Sequence, residues 1–215
     1  MTTHYIHRGL AKKKFNENTI PAFRYSFKKR YGIETDIHAT KDHEFICFHD
    51  FTLNRIFKKK ESVKNMDYSK IKKISTQNKK PIPLLKDLLK TSKNKYPLFI
   101  EIKPTFSKKL LQKLLKETSK FSKCVFISFK HENIYNLLKI KSNIKVGLSF
   151  SPSASIKTII KKSSNKKIDC LVMDKFYLKN KSIQSLKIKK YFYTIKIRAE
   201  FKKYNKNYNL IFENL

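Results

Sequence analysis

The chain holds only three glycines, three cysteines and, among its 50 basic residues, five arginines. Each shortage excludes something. With glycine confined to Gly9, Gly32 and Gly147, no glycine-rich phosphate loop of a doubly wound nucleotide-binding sheet is present. Cys47, Cys124 and Cys170 sit singly in apolar, strand-like runs without metal-ligand spacing. They read as buried, reduced thiols of a cytoplasmic protein. Base-edge reading favours arginine forks, so their scarcity argues against sequence-specific nucleic-acid recognition, and no specific nucleic-acid partner is expected. No apolar run approaches the roughly 18 residues of a membrane-spanning helix. The start, Met1-Thr2-Thr3-His4-Tyr5-Ile6, leaves no room for a signal peptide before the first motif.

What is present fits a folded enzyme-sized unit. A length of 215 residues, 40% hydrophobic and 31% charged, suits one domain over 1–215; such a domain buries roughly 70% of its unfolded surface. Fifty basic minus 16 acidic residues gives +34. A surface of this sign attracts nucleic acid, anionic membrane and acidic small molecules. The excess is almost all lysine, accompanied by many Ile and Asn and few Ala and Gly, as in an AT-rich coding background. Nothing in the chain signals an oligomeric state.

Short β-branched runs alternate with lysine-rich amphipathic segments. Strands are predicted at Thr3–Ile6, Gly32–Ile37, Leu98–Ile102, Cys124–Ser128, Lys145–Ser149, Ile168–Met173, Phe192–Lys196 and Asn209–Phe212, with a hairpin return at Glu44–Phe48. Helices are predicted from Thr19 (a cap, with Pro21 in the first turn) to about Arg30, and at Pro83–Leu89, Lys108–Lys120, Glu132–Lys139, Ser155–Lys162 and Lys181–Lys187. Eight strands alternating with helices predict an α/β chain closed as a (β/α)₈ TIM barrel. The stretch from Arg55 to Lys80 is a surface excursion after the second strand, with a short helix near Tyr68–Ile74.

Against the basic background, six of the sixteen acidic residues and five of the six histidines fall within the first fifty positions. Glu34 and Asp36 share one face of a strand, as do Glu101 and Lys103, while Ile33, Ile37, Ile100 and Ile102 face the other way. In a barrel, inward side chains at the C-terminal strand ends form the active site. Carboxylates gathered there repel one another unless a cation binds, and all-oxygen ligands favour Mg²⁺ or Ca²⁺. His7 and His49 follow strand ends and suit an acid–base pair for displacement at phosphorus. Arg8 and Lys103 supply positive charge for phosphate oxygens.

These residues resemble the glycerophosphodiester phosphodiesterase family. The resemblance is carried by His7-Arg8-Gly9, Glu17-Asn18-Thr19 with Ala22-Phe23, Glu34 and Asp36, Thr40-Lys41-Asp42, His49-Asp50 with Leu53 and Arg55, Pro83-Leu84, and Glu101-Ile102-Lys103, in order across about a hundred residues. It implies a TIM barrel, a divalent metal ion at Glu34, Asp36 and Glu101, and His7 and His49 as acid and base. It further implies hydrolysis of small glycerophosphodiesters, the deacylated phospholipid headgroups, to sn-glycerol 3-phosphate and an alcohol.

The second half matches less closely. Ser128-Phe129 fits, whereas Tyr193-Thr194-Ile195-Lys196 stands where the family usually has Trp-Thr-Val-Asn, and Asp42-His43 replaces an Asp-Gly turn. The closing Asn209–Leu215 lacks the usual Asp-Gly and Thr-Asp pairs. Lys196 and Tyr193 are supporting candidates at the mouth. Glu17 is another, either against the metal or in a pair with Arg8. Two rivals remain. A lysophospholipase D on the same scaffold requires an apolar mouth and peripheral contact with anionic membrane. A basic nucleic-acid-binding protein on a degenerate barrel leaves the clustered carboxylates unexplained.

Overall fold

The computed structural model describes residues 2–10 and 16–213. Its parallel strands are β1 (Tyr5–His7), β2 (Gly32–Ala39), β4 (Leu98–Ile102), β5 (Cys124–Ser128), β6 (Val146–Phe150), β7 (Cys170–Asp174), β8 (Lys189–Ile195) and β9 (Asn209–Phe212). They pair in the order β1-β9-β8-β7-β6-β5-β4-β2, and pairing of β1 with β2 closes the ring. The predicted eight-stranded TIM barrel is therefore the fold. The hairpin return, β3 (Phe45–Cys47), runs antiparallel on the upper half of β2, outside the ring.

Helices α1 (Ile20–Lys28), α4 (Leu85–Ser92), α5 (Lys108–Thr118), α6 (His131–Ile140), α7 (Ile156–Ser163), α8 (Lys181–Gln184) and α9 (Arg198–Tyr204) follow the strands. Local chemistry starts several of them. Pro21 stands in the first turn of α1, and Ser107, Ser155 and Asn180 accept the first free amides of α5, α7 and α8. Leu111, Leu114 and Thr118 then recur at helical spacing on the buried face of α5. Two helices were not foreseen: α2 (Asn54–Phe57) and α9. No residue of α9 is fully buried, so it carries little apolar periodicity to read. The excursion also contains α3 (Tyr68–Gln77). It is packed on its own small core of Ile46, Phe48, Leu53, Phe57, Val63, Met66, Ile71, Ile82 and Leu84.

Strand parity divides the main interior in two. Outward-facing Ile33, Ile37, Ile100 and Ile102 are fully buried beneath the helices. Inward-facing Tyr5, Phe99, Ile127, Cys170, Val172, Tyr191 and Ile211 fill the barrel axis. There Tyr5 stacks on Phe99 at 4.2 Å between ring centroids, and Tyr191 stands edge-on to both. Gly147 faces this plug, where a Cβ would meet Cys170 Sγ at 2.6 Å, so the crowded axis leaves no room for a side chain. All three cysteines are buried and free. Among the described residues no helix is long and apolar enough to cross a membrane.

Candidate active site

Above the aromatic plug the same inward parity turns polar. Register sets His7 beside Glu34 on neighbouring strands, and Asp36 beside Glu101. Carboxylate oxygens of Glu34, Asp36 and Glu101 all lie within 4.8 Å of one another, and the three residues are buried. They line a cavity of about 260 Å³ at the C-terminal end of the barrel, together with His7, Arg8, His49, Lys103, Tyr193 and Lys196. Its apolar wall includes Ile127, Phe129, Val172 and Ile211.

The His7-Arg8-Gly9 turn has a conformational reason. Arg8 and Gly9 both take positive φ, 54° and 74°, which reverses the chain directly after β1. A Cβ on Gly9 would also meet Phe23 Cδ1 at 2.8 Å. Gly9→Ala is expected to destabilise the fold by about 1–3 kcal/mol through strain and crowding. Thermal or urea unfolding checks this, and an unchanged midpoint would contradict the packing argument.

Lys103 Nζ lies 2.8 Å from Glu101 Oε1 and 3.4 Å from Asp36 Oδ1. Arg8 Nε is 3.2 Å from Asp36 Oδ2 without an aligned hydrogen bond, and Asn18 Nδ2 donates to the same oxygen at 3.1 Å. Thr35 Oγ1 in turn donates to Asn18 Oδ1, fixing that amide. Burial drives all three carboxyls upward. In Glu34 and Glu101 burial prevails, joined by the charge of Asp36, and both stand above the ordinary carboxyl range. In Asp36 the cations Arg8 and Lys103 outweigh burial and hold the carboxyl below it. Three crowded oxygen donors, two of them resisting ionisation, fit a hard divalent cation, whose charge would relieve the repulsion.

His49 reaches the cavity from the loop after β3. Its Nδ1 contacts Asp50 Oδ1 at 2.6 Å, and Arg55 holds Asp50 and Glu17 at 2.6 Å each. Glu17 accepts from Arg8 at 3.1 Å, so a chain of ion pairs joins the segment that follows His7 at the end of β1 to the loop that carries His49. Glu17 thus pairs with Arg8 rather than joining the carboxylate group. Burial lowers His49 below the ordinary imidazole value, against the pull of Asp36. His38 does not line the cavity; its Nε2 contacts the His49 carbonyl oxygen at 3.1 Å and props that loop.

Glu213 went unread in the sequence. It continues the inward parity of Asn209 and Ile211, and its carboxylate lies 3.9 Å from His7 Nδ1 and 3.3 Å from Lys196 Nζ. Contact with His7 and Lys196 draws its carboxyl down to about 2. Strand parity is the one sequence signal that marks it, since the segment lacks the usual Thr-Asp pair. The final two residues of that closing segment lie outside the described residues.

The family model of the glycerophosphoryl diester phosphodiesterases matches residues 7–202. The chain belongs to this family. A glycerophosphodiester phosphodiesterase of Caldanaerobacter subterraneus is 30% identical over an aligned length of 159, the match covering 67% of this chain and 65% of that relative. The match therefore spans somewhat under two thirds of the relative's own length. Among solved structures, a glycerophosphodiester phosphodiesterase of Thermotoga maritima superposes with a TM-score of 0.84 at 20% identity, covering 100% of this chain and 95% of that one. An Oleispira antarctica phosphodiesterase, solved with its product sn-glycerol-3-phosphate, gives 0.82 at 17% identity, covering 100% and 93%. At these identities both comparisons speak to the fold.

Proposed function

We propose that residues 1–215 act as one metal-dependent phosphodiesterase unit that hydrolyses glycerophosphodiesters to sn-glycerol 3-phosphate and an alcohol. The observation that carries this reading is the convergence of Glu34, Asp36 and Glu101 with His7 and His49 on a single cavity. The three carboxylates would hold Mg²⁺ or Ca²⁺. Such an ion polarises phosphoryl oxygens and lowers the pKa of a hydroxyl or water beside it. Arg8 and Lys103, both lining the cavity, bind the remaining phosphate oxygens. One imidazole takes the nucleophile's proton and the other protonates the departing alkoxide. The nucleophile is either water or the substrate's own glycerol hydroxyl. Three buried free thiols favour a reducing compartment, so we place the reaction in the cytoplasm.

The test is release of glycerol 3-phosphate from a glycerophosphodiester panel, with and without chelator. Turnover that ignores the chelator, or no turnover at all, overturns the reading. Including a lysophospholipid separates this activity from that of a lysophospholipase D.

Lys196 is exposed at the mouth and engaged by Glu213. It places a cation beside the leaving group, so Lys196→Asn is expected to shift preference by about fivefold from anionic towards neutral or cationic alcohols, the effect of roughly 1 kcal/mol from one half-screened charge. An unchanged ranking of substrates by kcat/KM would exclude this role.

A further inference from the structure

Five large hydrophobic side chains are notably exposed among the described residues: Phe51 (54%), Phe129 (38%), Ile160 (40%), Phe176 (72%) and Ile197 (61%). Ile160 lies on α7 in the outer ring. The other four share one face. Phe129, Phe176 and Ile197 directly follow or closely follow the C-terminal ends of β5, β7 and β8. Phe51 follows His49-Asp50, and its ring stands edge-on to His38. All four therefore surround the cavity mouth, where helix packing leaves them without cover. Isolated surface hydrophobics need no explanation, but four of the five gathered at the cavity-bearing end of so polar a chain do.

The charge around them names the occupant. Exposed Lys130 adjoins Phe129, exposed Lys179 lies three residues beyond Phe176, and exposed Arg198 adjoins Ile197. Lys175 and Lys196 are engaged by Glu200 and Glu213. The exposed run Lys58, Lys59 and Lys60 lies on the return of the loop bearing Phe51, which closes through the Thr52–Ser62 bridge. Apolar side chains interleaved with cations suit an interface where apolar tips enter the headgroup layer and amines meet lipid phosphate.

We propose that this face, the mouth-bearing end of the barrel, docks on the surface of an anionic phospholipid bilayer. Phe176 and Ile197 enter the headgroup region, with Phe51 and Phe129 at the rim. Docking so oriented would hold the cavity over the source of deacylated headgroups, which is the one respect in which it rests on the proposed activity.

The chain contains no tryptophan, so Phe176→Trp installs a single fluorescent reporter. The full chain is mixed with vesicles of phosphatidylcholine containing phosphatidylglycerol, or of phosphatidylcholine alone. The Phe176→Trp protein is expected to blue-shift on the anionic vesicles only, whereas Ile160→Trp keeps its solvent-exposed emission on both. Phe176→Ser combined with Ile197→Ser is expected to weaken vesicle co-sedimentation at least tenfold, and Lys130→Gln with Lys179→Gln about fivefold per lysine. Turnover of a soluble glycerophosphodiester stays unchanged in these variants. Co-sedimentation is scored without turnover, so an inactive protein that still docks refutes only the activity. Absence of vesicle binding overturns the proposal and leaves an acidic protein as the partner. Equal blue shifts at positions 160 and 176 overturn it in favour of adsorption by a uniform lysine coat. Undiminished binding of the double serine variant also overturns it.

Discussion

Replacing either His7 or His49 with alanine is expected to reduce turnover of a glycerophosphodiester by about 10²- to 10⁴-fold, the usual contribution of a positioned acid or base. For His49 the geometry is the more constrained. With Nδ1 at 2.6 Å from Asp50 Oδ1, the ring donates that proton and leaves Nε2 for the cavity. Asp50 is itself clamped by Arg55, so the imidazole is held before substrate arrives. His7 is looser, 3.8 Å from Glu34 Oε2 and 3.9 Å from Glu213 Oε1. The loss should fall mainly on kcat, since proton transfer belongs to the transition state. Asp50→Asn should lose less than His49→Ala, because it disturbs the tautomer without removing the ring. Steady-state kinetics check all three, with unfolding midpoints to show that the variants remain folded. Undiminished turnover in His7→Ala or His49→Ala would remove that histidine from the mechanism.

The part of this site that could be read beforehand is the part governed by strand parity. Glu34 and Asp36 are separated by a single residue, and apolar Ile33 and Ile37 flank them, so a strand could present the acids to one side only. The same rule placed Glu101 and Lys103, and it would have placed Glu213 had the end of β9 been judged by parity rather than by motif. Barrel closure was legible because the parallel strands are eight short, largely apolar runs separated by amphipathic segments. Other features depend on contacts distant in sequence. Asn18 meets Asp36 across 18 positions, and Arg55 meets Glu17 across 38. No local pattern encodes such a pairing. The excursion's own core was equally hidden, since its apolar residues come from β3, α2, α3, the loops between them and the segment leading to α4, without a common period. The exposed rim residues are invisible for a different reason: a phenylalanine in a loop reads the same whether it is buried or not.

Removing divalent ions is expected to lower turnover on the order of 10³-fold, matching the several kcal/mol that Lewis-acid stabilisation supplies. The argument begins with what the carboxylates do alone. Burial and mutual repulsion raise Glu34 and Glu101, so at these two groups the ion-free fold holds more protons than the unfolded chain does. The contribution of these two carboxyls to the stability of the ion-free protein therefore falls as pH rises above the ordinary carboxyl value. A bound divalent ion favours the ionised forms and displaces those protons, so its affinity rises with pH across the same range. Titration calorimetry in two buffers of different ionisation enthalpy measures the proton release directly. A second readout is stability: an ion present at a hundred times its dissociation constant adds about 2.7 kcal/mol to the folded state. Asp36→Asn should abolish that gain, because it removes the one carboxyl of the three that is held below the ordinary range. Comparing Mg²⁺ with Ca²⁺ in the same titration identifies the ion. If neither ion raises the unfolding midpoint and neither releases protons, the carboxylate cluster is a structural partner of Lys103 and Arg8, and the phosphodiester must be activated by those two cations instead.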